Sequence, residues 1–367
     1  MRRISAQYVF TSAAKPLRRG VVTADSDGTI LSVEDTGGDL PEKPGTEFYN
    51  GIIIPGMVNC HSHLELSHMR NTLPAGGGLT EFITGVRQRR DADTTEIVRA
   101  ARDTDDEMYR EGVVACGDIS NNSLTFDIKR TSSIRYLTFI EVFGLDPLLA
   151  TGRFDQALKL ISEAETAGLP SYITPHGVYS VSQPLFNLIK KQINSSSVTS
   201  LHFLESVDER KMAQGHLETA ITLAMLTSHL ILVHNTVITE DELEKLASVP
   251  NIWFCLCPSS NMFISGKMPP VEFLAKASGH IVTGTDSLAS TDHLSILGEL
   301  KLLHEAAPAI ALDEIIRWGT INGARALKMD DTLGSIEPGK KPGLLLIEDA
   351  DLARLRFRAD SRVRRLL

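Results

Sequence analysis

His61 and His63 are two positions apart, so on an extended backbone both imidazoles project to the same side. Two imidazoles in that relation can bind one ion. Neutral imidazole together with carboxylate suits zinc, with iron and manganese as alternatives. A third histidine and one carboxylate complete such a site and leave a position open for water; His202 and Asp286 are assigned to those places. Bound zinc lowers the pKa of its water to about 7, which supplies hydroxide at neutral pH. That chemistry needs a proton shuttle beside the ion that is not itself a ligand. Glu205, three residues past His202, stands where one is required, although on its own it would read as an acid opening a helix.

These residues need elements that bring them together. Between residues 51 and 330 the chain repeats apolar run, polar turn and helix. The apolar runs are 52–58, 112–116, 136–143, 172–174, 198–203, 230–233, 252–257 and 281–283. They are almost continuously hydrophobic, as strands buried on both faces should be. Helices are predicted over 94–111, 154–167, 183–192, 239–247 and 293–306. Eight such units predict a (β/α)8 barrel of TIM type, with a doubly wound open sheet as the alternative. The first strand-to-helix turn has no G-x-G-x-x-G, which removes the usual support for a dinucleotide role. In a barrel the active site lies at the C-terminal ends of the strands. Of the eleven histidines, His61, His63, His176, His202 and His234 all sit at such ends, with Asp286 beside them.

The termini read differently. Short apolar runs alternate with turns from Gln7 to Val33, with a hairpin signal at Asp27-Gly28, and a turn-rich stretch leads into Leu344–Ile347. Residues 1–50 and 331–367 are therefore expected to form a small β domain built from both termini, and 51–330 the barrel. After Ile347 the chain becomes Arg-rich, and this run either pairs with the N-terminal strands or forms an exposed basic tail.

Composition excludes other classes. The chain has 37 Lys+Arg against 46 Asp+Glu, a net charge of −9, which gives no overall reason to bind nucleic acid or an anionic membrane. No apolar stretch approaches the ~20 residues of a spanning helix, and no signal-peptide core follows Met1-Arg2-Arg3. Four cysteines without C-x-x-C spacing are no disulfide framework, so a cytoplasmic location is expected.

At this point the residues resemble a family. Pro55-Gly-Met-Val-Asn-Cys-His61-Ser-His63, His202-x-x-Glu205, His234, Cys257-Pro-Ser-Ser-Asn261 and Gly284-Thr-Asp286-Ser287 look like the amidohydrolase superfamily. They are similar to its mononuclear aminohydrolase branch, which includes deaminases of adenosine, S-adenosylhomocysteine, guanine, cytosine and aminofutalosine, and chlorotriazine hydrolases. The resemblance implies one divalent ion on His61, His63, His202 and Asp286, with Asp286 also taking a proton from the bound water. It implies that His234 polarises the resulting hydroxide, and that Glu205 protonates a ring nitrogen and then helps ammonia leave. It places His176 and Glu81 at substrate-binding positions. Arg87, Arg89 and Arg90 follow Glu81 on the same predicted helix and read more readily as a solvated basic face than as partners of a substrate carboxylate. Binuclear relatives bridge two metals through a lysine near the fourth strand. Here that end is Pro175-His176 with no lysine nearby, and Glu141 is the only carboxylate considered as a bridge. The implied function is hydrolytic deamination of an aminated heterocycle, purine- or nucleoside-like and including aminofutalosine-type compounds. Metal-bound hydroxide would attack the amino-bearing carbon. Hydrolysis of a cyclic amide or of a chlorinated ring on the same scaffold is the alternative, and an inactive metal-binding scaffold the third reading. The expected partner is a small-molecule substrate; assembly with further copies of the chain is left open.

Overall fold

The computed structural model describes residues 1–39 and 44–367. Its strands in chain order are β1 Arg2–Val9, β2 Leu17–Arg18, β3 Val21–Ala24, β4 Ile30–Glu34, β5 Thr46–Pro55, β6 Met57–Ser62, β7 Val113–Ser120 and β8 Arg135–Val142. They continue with β9 Ser171–Pro175, β10 Val198–Phe203, β11 His229–His234, β12 Ile252–Leu256, β13 Ile281–Thr283, β14 Leu344–Glu348 and β15 Arg362–Arg365. Every predicted apolar run is a strand. The first run divides in two at Gly56: Ile52–Pro55 ends β5, and Met57 starts β6. Crowding makes that residue a glycine, because a Cβ on Gly56 would come within 2.3 Å of Val114 Cγ1 and 2.5 Å of the Pro342 carbonyl oxygen.

β6–β9 form one four-stranded sheet in chain order and β10–β13 a second. The pairs β8/β9, β10/β11, β11/β12 and β12/β13 are parallel. Single parallel bridges, Ser62 with Asp286 and Gly177 with His202, join the edges of the two sheets. The protein is therefore α/β with parallel sheets whose strands are buried on both faces. The five predicted helices form, with ends shifted by up to four residues; the helix expected over 154–167 spans Ala150–Thr166.

A third sheet combines the two termini, in the order β15-β14-β5-β1-β3-β4, with β2 on β1. Ile4, Val22, Ile53, Leu344 and Leu346 form its core. The Arg-rich run is neither free nor paired with β1: Arg362–Arg365 lies antiparallel to β14, with Arg362 and Arg364 bridging to Glu348 at 3.0 and 3.3 Å.

The chain divides into two compact units, Met1–Asn59 with Met108–Ala115 and Ser295–Leu367, and Cys60–Glu107 with Cys116–Leu294. All the candidate site residues belong to the second. There, helix α1 (Gly78–Arg89) turns Phe82 and Val86 onto Leu66, Met69 and Leu73. Among the described residues no helix is long and apolar enough to cross a membrane.

Candidate metal centre and catalytic pocket

His61, His63, His202, His234 and Asp286 come from the ends of four strands and meet in one buried cluster. His61 lies within β6 and His63 just past its end; their Nε2 atoms are 3.2 Å apart, with rings edge-on at 83°. Asp286 follows β13 with φ 61°, and both its N–H and that of Thr285 donate to the His61 carbonyl at 3.0 Å. Its Oδ2 accepts from Ser260 Oγ at 2.6 Å and Ser290 Oγ at 3.0 Å. That leaves Oδ1 facing His63 Nε2 at 3.4 Å and His61 Nε2 at 3.8 Å. On β10, His202 lies within a ring-centroid distance of 4.8 Å from His61, and its Nδ1–H donates to the His176 carbonyl at 2.9 Å. With Nδ1 so occupied, Nε2 carries the lone pair.

This donor set fits a divalent ion. Two nitrogens bound to one tetrahedral zinc at ~2.0–2.1 Å stand about 3.3 Å apart, close to the 3.2 Å between His61 and His63. Ligand atoms of His61, His63 and Asp286, and of His61, His202 and His234, lie within 4.8 Å of one another. Metal ligation requires neutral imidazole, and burial, helped by the neighbouring histidines, lowers the pKa of His61 and His202 and holds His63 near about 3.

Two further groups stand beside the cluster. His234 ends β11 with φ 79°, an uncommon conformation for a side chain of this size. Its Nδ1–H donates to Asn261 Oδ1 at 2.8 Å, and its Nε2 lies 3.7 Å from Glu205 Oε1. Burial alone would lower the His234 pKa; the Glu205 and Asp286 charges outweigh it and raise the value. Glu205 is buried, and burial chiefly, with the Asp286 and Glu209 charges added, raises its carboxyl to about 7. A buried acid poised near neutrality beside a metal-ligand set is an arrangement suited to proton transfer.

The cluster forms the floor of a cavity reached by His63, Glu141, His176, His202, Glu205 and Asp286. Leu79, Phe82, Ile83 and Val86 of α1 make one wall, and Phe143 and Tyr179 line it elsewhere. His176 stacks on His202 with centroids 4.4 Å apart and holds Ser180 Oγ at 2.8 Å through Nδ1. Glu81 does not reach this cavity. It is exposed, and its carboxylate folds back over Gly77 at the positive N-terminal end of α1. The basic face separates: Arg87 and Arg90 line the cavity, whereas Arg89 borders a cleft on the other side with Glu81. Arg90 donates to buried Glu65 at 3.2 Å and to Asn121 Oδ1 at 3.0 Å. Glu141 accepts from Asn121 Nδ2 at 3.1 Å and lies 3.6 Å from His202 Nδ1.

Ser260 and Asn261 stand in the sequence only as part of a motif, and nothing there singles out Tyr179 or Glu209. The pattern Cys257-Pro-Ser-Ser-Asn261 carried the first two, because a helix beginning at Pro258 turns Ser260 and Asn261 inward towards Asp286 and His234.

The fold and this site define a metal-dependent hydrolase, and comparison with known proteins agrees. The model of the amidohydrolase family matches residues 52–365. The chain belongs to the amidohydrolase family. It is 26% identical over 328 residues to an adenosine deaminase of Helicobacter pylori, covering 81% of this chain and 79% of that one. Among solved structures it is similar to the H. pylori aminofutalosine deaminase in complex with methylthio-coformycin, with TM-score 0.78 and 23% identity over 95% of this chain and 92% of that one. It is also similar to an adenosine deaminase of Xanthomonas campestris with bound zinc, with TM-score 0.76 and 22% identity over 95% and 85% of the two chains.

Proposed function

We propose that this chain is a metal-dependent hydrolytic deaminase of an aminated heterocycle, purine- or nucleoside-like, releasing ammonia. The observation that carries the reading is the convergence at ligand spacing of two groups that share His61, one with His63 and Asp286 and one with His202 and His234, with Glu205 beside His234. The relatives named for adenosine and aminofutalosine support an aminopurine nucleoside over a cyclic amide or a chlorinated ring. The two parallel sheets and their edge bridges support a closed (β/α)8 barrel, and the shared terminal sheet, which runs on through Ile52–Pro55 of β5, supports a small β domain built from both termini. Four buried cysteines, none in a disulfide, are consistent with a cytoplasmic protein.

His61, His63, His202 and Asp286 would hold one divalent ion, zinc being favoured by three imidazoles and one carboxylate. When bound, the ion supplies a water molecule acidic enough to react near neutral pH. Asp286 Oδ1, its partner oxygen fixed by Ser260 and Ser290, would accept a proton as water is activated at the site. His234, its ring fixed by Asn261 and its protonated form favoured by the Glu205 and Asp286 charges, would donate through Nε2 to the oxygen that adds to the ring carbon. Attack on an amidine-like carbon builds negative charge on the adjacent ring nitrogen, and Glu205, protonated near pH 7, delivers a proton there. Glu205, now a carboxylate, helps ammonia leave by taking up the proton of the added hydroxyl as the carbonyl forms, while the proton held by Asp286 passes to the departing amine, so that both groups return to their starting state. His176 and the α1 wall hold the heterocycle and exclude water.

The test is an ammonia-release assay on a panel of adenosine-type, aminofutalosine-type, guanine and pterin compounds, with metal analysis of the purified protein. Ammonia from an aminopurine nucleoside is expected. Turnover of a dihydropyrimidine or chlorotriazine without free ammonia would reject the reading.

A further inference from the structure

The turn that presents Glu205 is held by a second buried carboxylate. β10 ends at Phe203, and Leu204 then adopts φ 51°, a left-handed conformation unusual for a bulky side chain. Glu209, fully buried, reaches back from the helix Val207–Met212 to this turn. Its Oε1 accepts from the Leu204 N–H at 3.0 Å and its Oε2 from the Glu205 N–H at 2.7 Å. His216 Nε2 lies 3.1 Å from Oε1 on the other side.

Helix capping does not account for this. Ser206 is the N-cap, its Oγ accepting from the Glu209 N–H at 3.2 Å, and Ser206-x-x-Glu209 has the spacing of a capping box. In a capping box the glutamate would return to the N-cap N–H. Here it passes that residue and takes the two N–H groups before it. Both carboxylate oxygens are spent on the backbone of the residue that carries the acid and of the residue before it.

We infer that Glu209 is a positioning residue for Glu205, clamping the Leu204–Glu205 backbone so that the Glu205 carboxyl faces His234 and the cavity. The inference rests on reading Glu205 as the proton shuttle. Without the clamp, two buried N–H groups lose their acceptors and Leu204 is free to return to an extended conformation, turning the next side chain away. Displacing a catalytic group by about 1 Å can cost on the order of 10²-fold in rate.

The experiment is a double-mutant cycle with Glu209→Gln and Glu205→Gln, read as ammonia release from the preferred nucleoside together with metal content, melting temperature and amide hydrogen exchange. A glutamine keeps the size but offers one acceptor oxygen and turns an NH2 group towards the second N–H. Glu209→Gln is expected to lower kcat roughly 10- to 100-fold with a much smaller change in KM and unchanged metal content, and to accelerate exchange at the Leu204 and Glu205 amides. In the Glu205→Gln background it should add almost nothing, because residues acting as one unit are not additive. Glu209→Asp, which keeps the charge but cannot span both N–H groups, should repeat the pattern if the glutamine variant folds poorly. Unchanged kcat, an equal loss in both backgrounds, or loss of the metal would overturn the inference. If the wild-type chain deaminates none of the candidates, the functional reading fails by itself. Amide exchange then decides the clamp: faster exchange in Glu209→Gln supports it and unchanged exchange rejects it.

Discussion

Glu205→Gln is the perturbation with the most to say about the chemistry. Glu205 is 4% exposed, and burial is the first cause of a pKa of about 7. Holding the carboxyl there rather than at the ordinary 4.5 disfavours its charged form by roughly 3 kcal/mol, at about 1.4 kcal/mol per pH unit. As the acid in the reaction it must be protonated, so the wild-type rate should fall on the alkaline side of about pH 7, approaching tenfold per unit. Glutamine cannot exchange that proton. The variant should retain its metal, lose on the order of 10² to 10⁴ in kcat, and lose the alkaline limb. Stability carries the same signature. Because the folded pKa is raised, the wild type holds this part of its stability below the unfolded value near 4.5 and gives it up as pH rises through about 7. The melting temperature of the variant relative to wild type should therefore rise between about pH 4.5 and pH 7 and level off above, since a glutamine has no charge to bury. Ammonia release across pH, elemental analysis and calorimetry read all three. A Glu205→Gln enzyme with an intact rate and an intact alkaline limb would remove Glu205 from the mechanism.

Other substitutions test the supporting parts. His202→Ala should abolish metal retention after dialysis as well as activity, because one of four ligands is gone; elemental analysis reads it directly. Ser260→Ala removes the 2.6 Å donor to Asp286 Oδ2 and should weaken metal affinity about 10- to 100-fold in chelator competition, while the fold survives. Gly56→Ala should lower the melting temperature sharply, or prevent soluble expression, since its Cβ would lie 2.3 Å from Val114 Cγ1; an effect no larger than that of a surface alanine would show that the junction of β5 and β6 relaxes freely.

Much of this was readable in the chain. The apolar runs announced the strands because strands buried on both faces need unbroken hydrophobicity, and the histidines at their ends announced the site because a parallel architecture gathers strand termini on one side. What stayed hidden depended on side-chain direction and backbone detail. Glu81 and Arg87 are six residues apart on α1, yet only Arg87 lines the cavity, and only the way α1 packs on Leu66, Met69 and Leu73 decides which. The break at Gly56 was signalled by Pro55-Gly56 inside the run 52–58, but the crowding that forces a glycine there comes from Val114 and Pro342, both distant in sequence. The left-handed turns at Leu204, His234 and Asp286 carry no glycine to mark them, and are held by tertiary hydrogen bonds such as those of Glu209.

The central claim is that four side chains distant in sequence share one ion. Crystallography with anomalous scattering at the zinc edge tests it most directly. One ion per chain is expected, bonded to Nε2 of His61, His63 and His202 and to Asp286 Oδ1 at about 2.0–2.2 Å. An ion held by Glu141 and His176 instead, or zinc-saturated protein with no density between His61 and His63, would contradict it.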